Sequence, residues 1–147
     1  MNVLVPMLLM SSCSRTDNML YRLTGNAIHR VPGVYREQIR HALERAGDNR
    51  ETLETVLTSV APEHVTGAAF LIAHMPEHDL RQLSSEFILE NIRYAYTAVD
   101  ESRWTGTVPE DVFLNNVLPY ASIHERRDNW RRDFHERFFP LVRDCVT

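Results

Sequence analysis

The chain has 147 residues, 44% hydrophobic and 24% charged, which fits one globular domain able to bury a real core. A formal net charge of -4 excludes a global attraction to nucleic acid or to an anionic membrane surface. All 16 basic residues are arginine, which excludes a lysine nucleophile or Schiff base, and two cysteines make no disulfide framework.

The opening segment, "MNVLVPMLLMSSCSRTDN", is apolar from Val3 to Met10 and then runs through small residues to Cys13. An apolar run followed by small residues has the layout of a signal segment ending in a bacterial lipoprotein box, with Cys13 as the lipidated residue. On that reading residues 1–13 are a signal-like leader. The protein then sits in the cell envelope or periplasm and meets the membrane only through a lipid anchor. Two features favour the other reading, a mis-assigned start or a plain leader on a cytoplasmic protein. No basic residue precedes the run, and Met10 stands where leucine is usual. The run is too short to span a bilayer. Residues 14–32 are polar and mixed; they read as a linker with at most one helical turn. The helical domain is expected over 33–147.

From Val34 the pattern turns helical. Tyr35, Ile39, Ala42, Leu43 and Ala46 recur at helical spacing and Gly47 stops them. Leu53, Val56, Leu57 and Val60 mark a second helix. Pro62 starts a third, whose body "VTGAAFLIAHM" is apolar nearly all round and belongs at the centre of the core. Asp79 reads as the N-cap of the next helix, with Gln82 completing a capping box. Leu80, Leu83, Phe87, Ile88, Ile92, Ala95 and Val99 then hold one face for about five turns. Pro109 opens a helix through Leu118, stopped by Pro119. The last helix is expected to start between Ser122 and Asp128, with Trp130, Phe134, Phe138, Leu141 and Cys145 as its apolar stripe and a kink at Pro140. No stretch alternates with period two. The predicted fold class is all-α, an irregular bundle of about six helices.

Four motifs invite chemistry. "HMPEH" at 74–78 spells the inverted zinc-protease pattern. That chemistry needs both histidines on one helix face, and Pro76 between them breaks the helix; no metal or cofactor is expected. Cys145 and His135 lie about 15 Å apart along one helix, too far for a nucleophile and its base. Five arginines between Ser122 and Arg137 are interleaved with four acids. That interleaving cancels the counterion release of a nucleic-acid face and reads as a solvated, ion-paired helix. The glycines are isolated and make no phosphate loop. No catalytic residue is therefore assigned.

One stretch carries a resemblance. "PEDVFLNNVLPYASIHERRDNWRRDF", followed by "FPLVRDC", resembles the N-terminal helical region of bacterial transglutaminase-like proteins. The matching positions are Phe113, Leu114, Asn115, Val117, Leu118, Pro119, Tyr120, Trp130 and Arg131. "FLIAHMPEHDLRQLSSEFILENIRYAY" is also similar, so the likeness covers about 65–147; His124 departs from the asparagine usual in the family. The family has a papain-type Cys-His-Asp core following this region. The resemblance implies a non-catalytic helical scaffold preceding such a core, truncated before it, with Asn115, Tyr120, Trp130 and Arg131 fixing the interface to that downstream domain. The competing reading is an envelope-anchored module that binds another protein. A small enzyme built on His124, His135 or the 74–78 motif is the third.

Overall fold

A computed structural model describes residues 27–101, 107–122 and 124–144. Among these residues every regular element is helical, and they form an irregular all-α bundle. The leader, Cys13 and Cys145 lie outside the described residues. The domain begins earlier than Gly33. Residues 27–30 are a helical turn, and Ala27 and Val31 are buried in the core.

After a 3-10 turn at Gly33–Tyr35, α1 spans Arg36–Arg45 and buries Ile39, Ala42 and Leu43. This is the i, i+3, i+4 stripe of an amphipathic helix. Gly47 has φ 58°, a left-handed turn that glycine adopts without strain. It reverses the chain into α2, Arg50–Ser59, which buries Leu53, Val56 and Leu57. A 3-10 turn at Pro62–His64 leads into α3, Val65–His74, which buries Val65, Gly67, Ala68, Ala69, Leu71 and Ile72. Small residues let other elements come close. A Cβ on Gly67 would lie 2.7 Å from the Tyr96 hydroxyl and 3.3 Å from Leu118 Cδ2.

The next element corrects the sequence reading. Asp79 is not an N-cap: it sits inside the single turn α4, Glu77–Leu80, and is buried. Its carboxylate is drawn away by Tyr120 and Arg127, so it cannot serve a helix N-terminus. The Asn49 side-chain amide donates to the carbonyls of Leu80 at 2.9 Å and Leu83 at 3.0 Å, and the chain turns there. The long helix α5, Ser85–Asp100, starts later. Ser84 is its cap, accepting from the Phe87 N–H at 3.2 Å.

The predicted helix after Pro109 forms as α6. Glu110–Val112 is α-helical and continues as a π-turn over Phe113–Val117, closed by the Leu118 N–H donating to the Phe113 carbonyl at 2.9 Å. Phe113, Leu114, Leu118 and Tyr120 are buried. The last helix, α7, is Trp130–Asp144. It starts later than expected: Arg127 turns its side chain to Asp79 and to the carbonyls of Ser122 and Glu125, and the first helical bond is the Asp133 N–H to the Asn129 carbonyl. It packs on α5, with His135 5.1 Å from Tyr94, ring to ring. Its apolar stripe faces outward. No helix among the described residues is long and apolar enough to cross a membrane.

Gly67→Ala should destabilise the fold by roughly 1–3 kcal/mol, because the methyl must displace Tyr96 or Leu118. Gly33 has open space around its Cβ position, so Gly33→Ala should stay within about 0.5 kcal/mol. Urea unfolding of the two variants checks the contrast.

Candidate functional site

Pro119 follows α6 and brings no N–H, so the last carbonyls of that helix need donors from elsewhere. Arg131, in the first turn of α7, supplies them. Its guanidinium donates to the carbonyls of Val117 and Pro119, the latter at 2.7 Å. Burial pushes Arg131 down to about 10, which still leaves it charged at neutral pH. The guanidinium also covers the Trp130 ring, 4.5 Å from its centroid, a cation–π contact. Trp130 Nε1 donates to the Tyr120 carbonyl at 2.8 Å. The start of α7 is thus stitched to 117–120.

Tyr120 is 6% exposed. Its hydroxyl donates to Asp79 Oδ2 at 2.8 Å. Arg127 donates to the same oxygen from Nε at 3.0 Å, and its terminal nitrogen forms an ion pair with it at 2.9 Å. Asp79 itself is 2% exposed. One buried carboxylate oxygen therefore takes two hydrogen bonds and a close ion pair, the arrangement that makes a buried charge tolerable. Burial, then the bond to Asp79, push the Tyr120 phenol well up. The bond to Asp79 raises Arg127 as well. Arg127 further donates to the carbonyls of Ser122 at 3.2 Å and of Glu125.

The structure brings Tyr120, Trp130 and Arg131 together. Asn115 is not hydrogen-bonded to them: it is exposed, donates to the Asp111 carbonyl at 2.8 Å and lines a hollow that Tyr120 also borders. The polar tips of Tyr120, Trp130 and Arg131 are engaged within the chain. Arg127 and Arg131 are accordingly not part of a solvated face. Asp79 and Arg127 are the members that sequence reasoning missed. They meet across 48 residues, and no local period encodes such a pairing. A buried-type tyrosine followed by an arginine-rich loop was the available hint.

The histidines are scattered in use. His74 shares a 2.8 Å hydrogen bond with the Phe70 carbonyl through Nδ1. His135 stacks on Phe139 at 4.6 Å. His124 is exposed. Among the described residues no three His, Cys, Asp or Glu side chains gather as a possible metal set.

Outside this clasp lies a second feature. Trp130, Phe134, Phe138 and Leu141 are 37%, 58%, 47% and 60% exposed. Trp130 and Phe134 meet edge to face at 5.8 Å, and Phe134 and Phe138 at 5.1 Å. A hollow of about 470 Å³ opens beside Trp130 and Phe134, rimmed by Glu125, Arg126 and Asp128. No protein-family model, no curated protein and no solved structure matches the chain. The clasp ties Tyr120, Arg127, Trp130 and Arg131 to partners within the chain, with only the buried Arg131 Nε left without one, and acts as a brace; the α7 face has apolar surface to give.

Asp79→Ala should cost roughly 3 kcal/mol or more, since it strands Arg127 and the Tyr120 hydroxyl; thermal or urea unfolding reads this. The folded state keeps the Tyr120 phenol protonated above its ordinary value of 10.0. Its stabilisation is therefore complete below that pH and is lost as pH rises beyond it. Stability of the parent chain should fall more steeply between about pH 9 and pH 11 than that of Tyr120→Phe. Tyr96, also raised by burial, remains in both and cancels. Equal slopes in urea unfolding would rule out the buried-phenol account.

Proposed function

We propose that the chain is a non-catalytic helical docking domain that presents the outer face of α7 to another folded protein. The observation carrying this is the row Trp130, Phe134, Phe138 and Leu141, exposed on successive turns of a helix whose first turn is fixed by Trp130 and Arg131. With about 200 Å² per aromatic side chain, the row leaves on the order of 400 Å² of apolar surface in water, the size that marks an interaction site. A rigid helix face is also a low-entropy way to present such a patch.

The resemblance of 65–147 to the N-terminal region of transglutaminase-like proteins suggests the partner. A papain-type core domain would dock on the braced helix, and the clasp around Tyr120 would set its angle. The second reading, an envelope-anchored binding module, draws on the apolar run and Cys13. It uses the same face and adds a lipid tether. Metabolic lipid labelling that is lost in Cys13→Ser would support the tether.

Phe134→Arg replaces an exposed ring, so stability should stay within about 0.5 kcal/mol. Affinity for a transglutaminase-like core, measured by calorimetry, should drop at least about 10-fold. Unaltered binding would remove α7 as the docking face.

A further inference from the structure

We infer that the outer face of α7 is a two-fold interface whose occupant is the same face of a second copy of this chain. This rests on the reading of α7 as a docking face and names what covers it. The four apolar side chains recur every third or fourth residue over about 17 Å of helix. Beside them, on one flank, stand Asp133 and Arg137, both exposed and one turn apart. The charge order on this flank decides the partner.

Two antiparallel helices related by a two-fold axis normal to both bring like flanks together. With the axis at the height of His135, Asp133 of each copy faces Arg137 of the other, twice over. The same register sets Trp130 beside Leu141 of the second copy. It places Phe134 between Phe134 and Phe138 of that copy. The hollow beside Trp130 and Phe134 then receives the incoming Leu141. A parallel two-fold pairing puts the two copies' Asp133–Arg137 flanks on opposite sides of the interface, so neither charge meets its opposite there. A purely apolar partner would leave both charges without a counterpart. The face is complementary to itself in one orientation.

Two copies bury on the order of 1,000 Å² when the polar flanks are included, the low end for a specific interface, so the dimer is weak and reversible. One face cannot hold two occupants, so self-association competes with docking on a core domain.

Sedimentation equilibrium from about 5 μM to about 500 μM brackets such an interface. A concentration-dependent dimer is expected. Phe134→Arg should raise its dissociation constant at least about 10-fold. Asp133→Arg and Arg137→Asp should each weaken it, and the two combined should return it to within about 3-fold of the parent. A chain that stays monomeric throughout overturns the inference. So does a dimer indifferent to Phe134→Arg, or one in which the combined reversal is no better than the single ones. A monomer that still binds a transglutaminase-like core through Phe134 sinks the dimer and leaves the docking reading intact. A dimer with the expected variant pattern that binds no core upholds the dimer and removes that core as partner.

Discussion

A single buried carboxylate organises this fold. Taking Asp79 out of water costs several kcal/mol unless donors replace the lost hydration. Tyr120 and Arg127 are those donors, and they come from the segment that has no helix of its own. The requirement to satisfy Asp79 therefore fastens the chain after Pro119 onto α4. Everything beyond follows from that attachment. Trp130 and Arg131 hang from the same segment, so the carboxylate indirectly sets where α7 begins.

The helix so placed has two unlike faces. His135 and Phe139, half-buried, turn toward α5. Trp130, Phe134, Phe138 and Leu141 turn away from it. They lie outside the buried core, in which α3 packs on α1 and α2 and meets Tyr96 and Leu118 at Gly67. The helix is fixed firmly at its start and leaves its larger apolar stripe in water. The clasp supplies stiffness and the stripe supplies surface.

Most of the helices were legible in the sequence. The stripes of α1 and α2 and the all-round apolarity of α3 are local patterns that burial converts directly into packing. The π-turn in α6 was not legible, because its bonds differ from α-helical ones by one residue and the apolar spacing hides that. The Asp79 error is instructive. Asp followed by Gln at the third position is a good local cap, but a buried tyrosine and an arginine offered the carboxylate more than a backbone N–H could. The apolar stripe of α7 was read correctly as a pattern. Periodicity says which residues share a face; it does not say what that face meets. Of the four positions marked for an interface, three cluster, yet through intramolecular bonds that no spacing rule contains.

The helix ends share one further trait. Arg30 takes the carbonyls of Leu57 and Val60 at the end of α2, each at 2.8 Å. Arg81 reaches the Arg45 carbonyl at 3.1 Å, at the end of α1. Asn49 closes α4, and Arg131 closes α6. These four helices, α1, α2, α4 and α6, are thus finished by a side chain from another segment rather than by their own. Fraying of one element uncovers carbonyls on another, so the pieces gain little by melting separately. The domain's opening is then a collective event, and a protease or exchange experiment would meet a single unit.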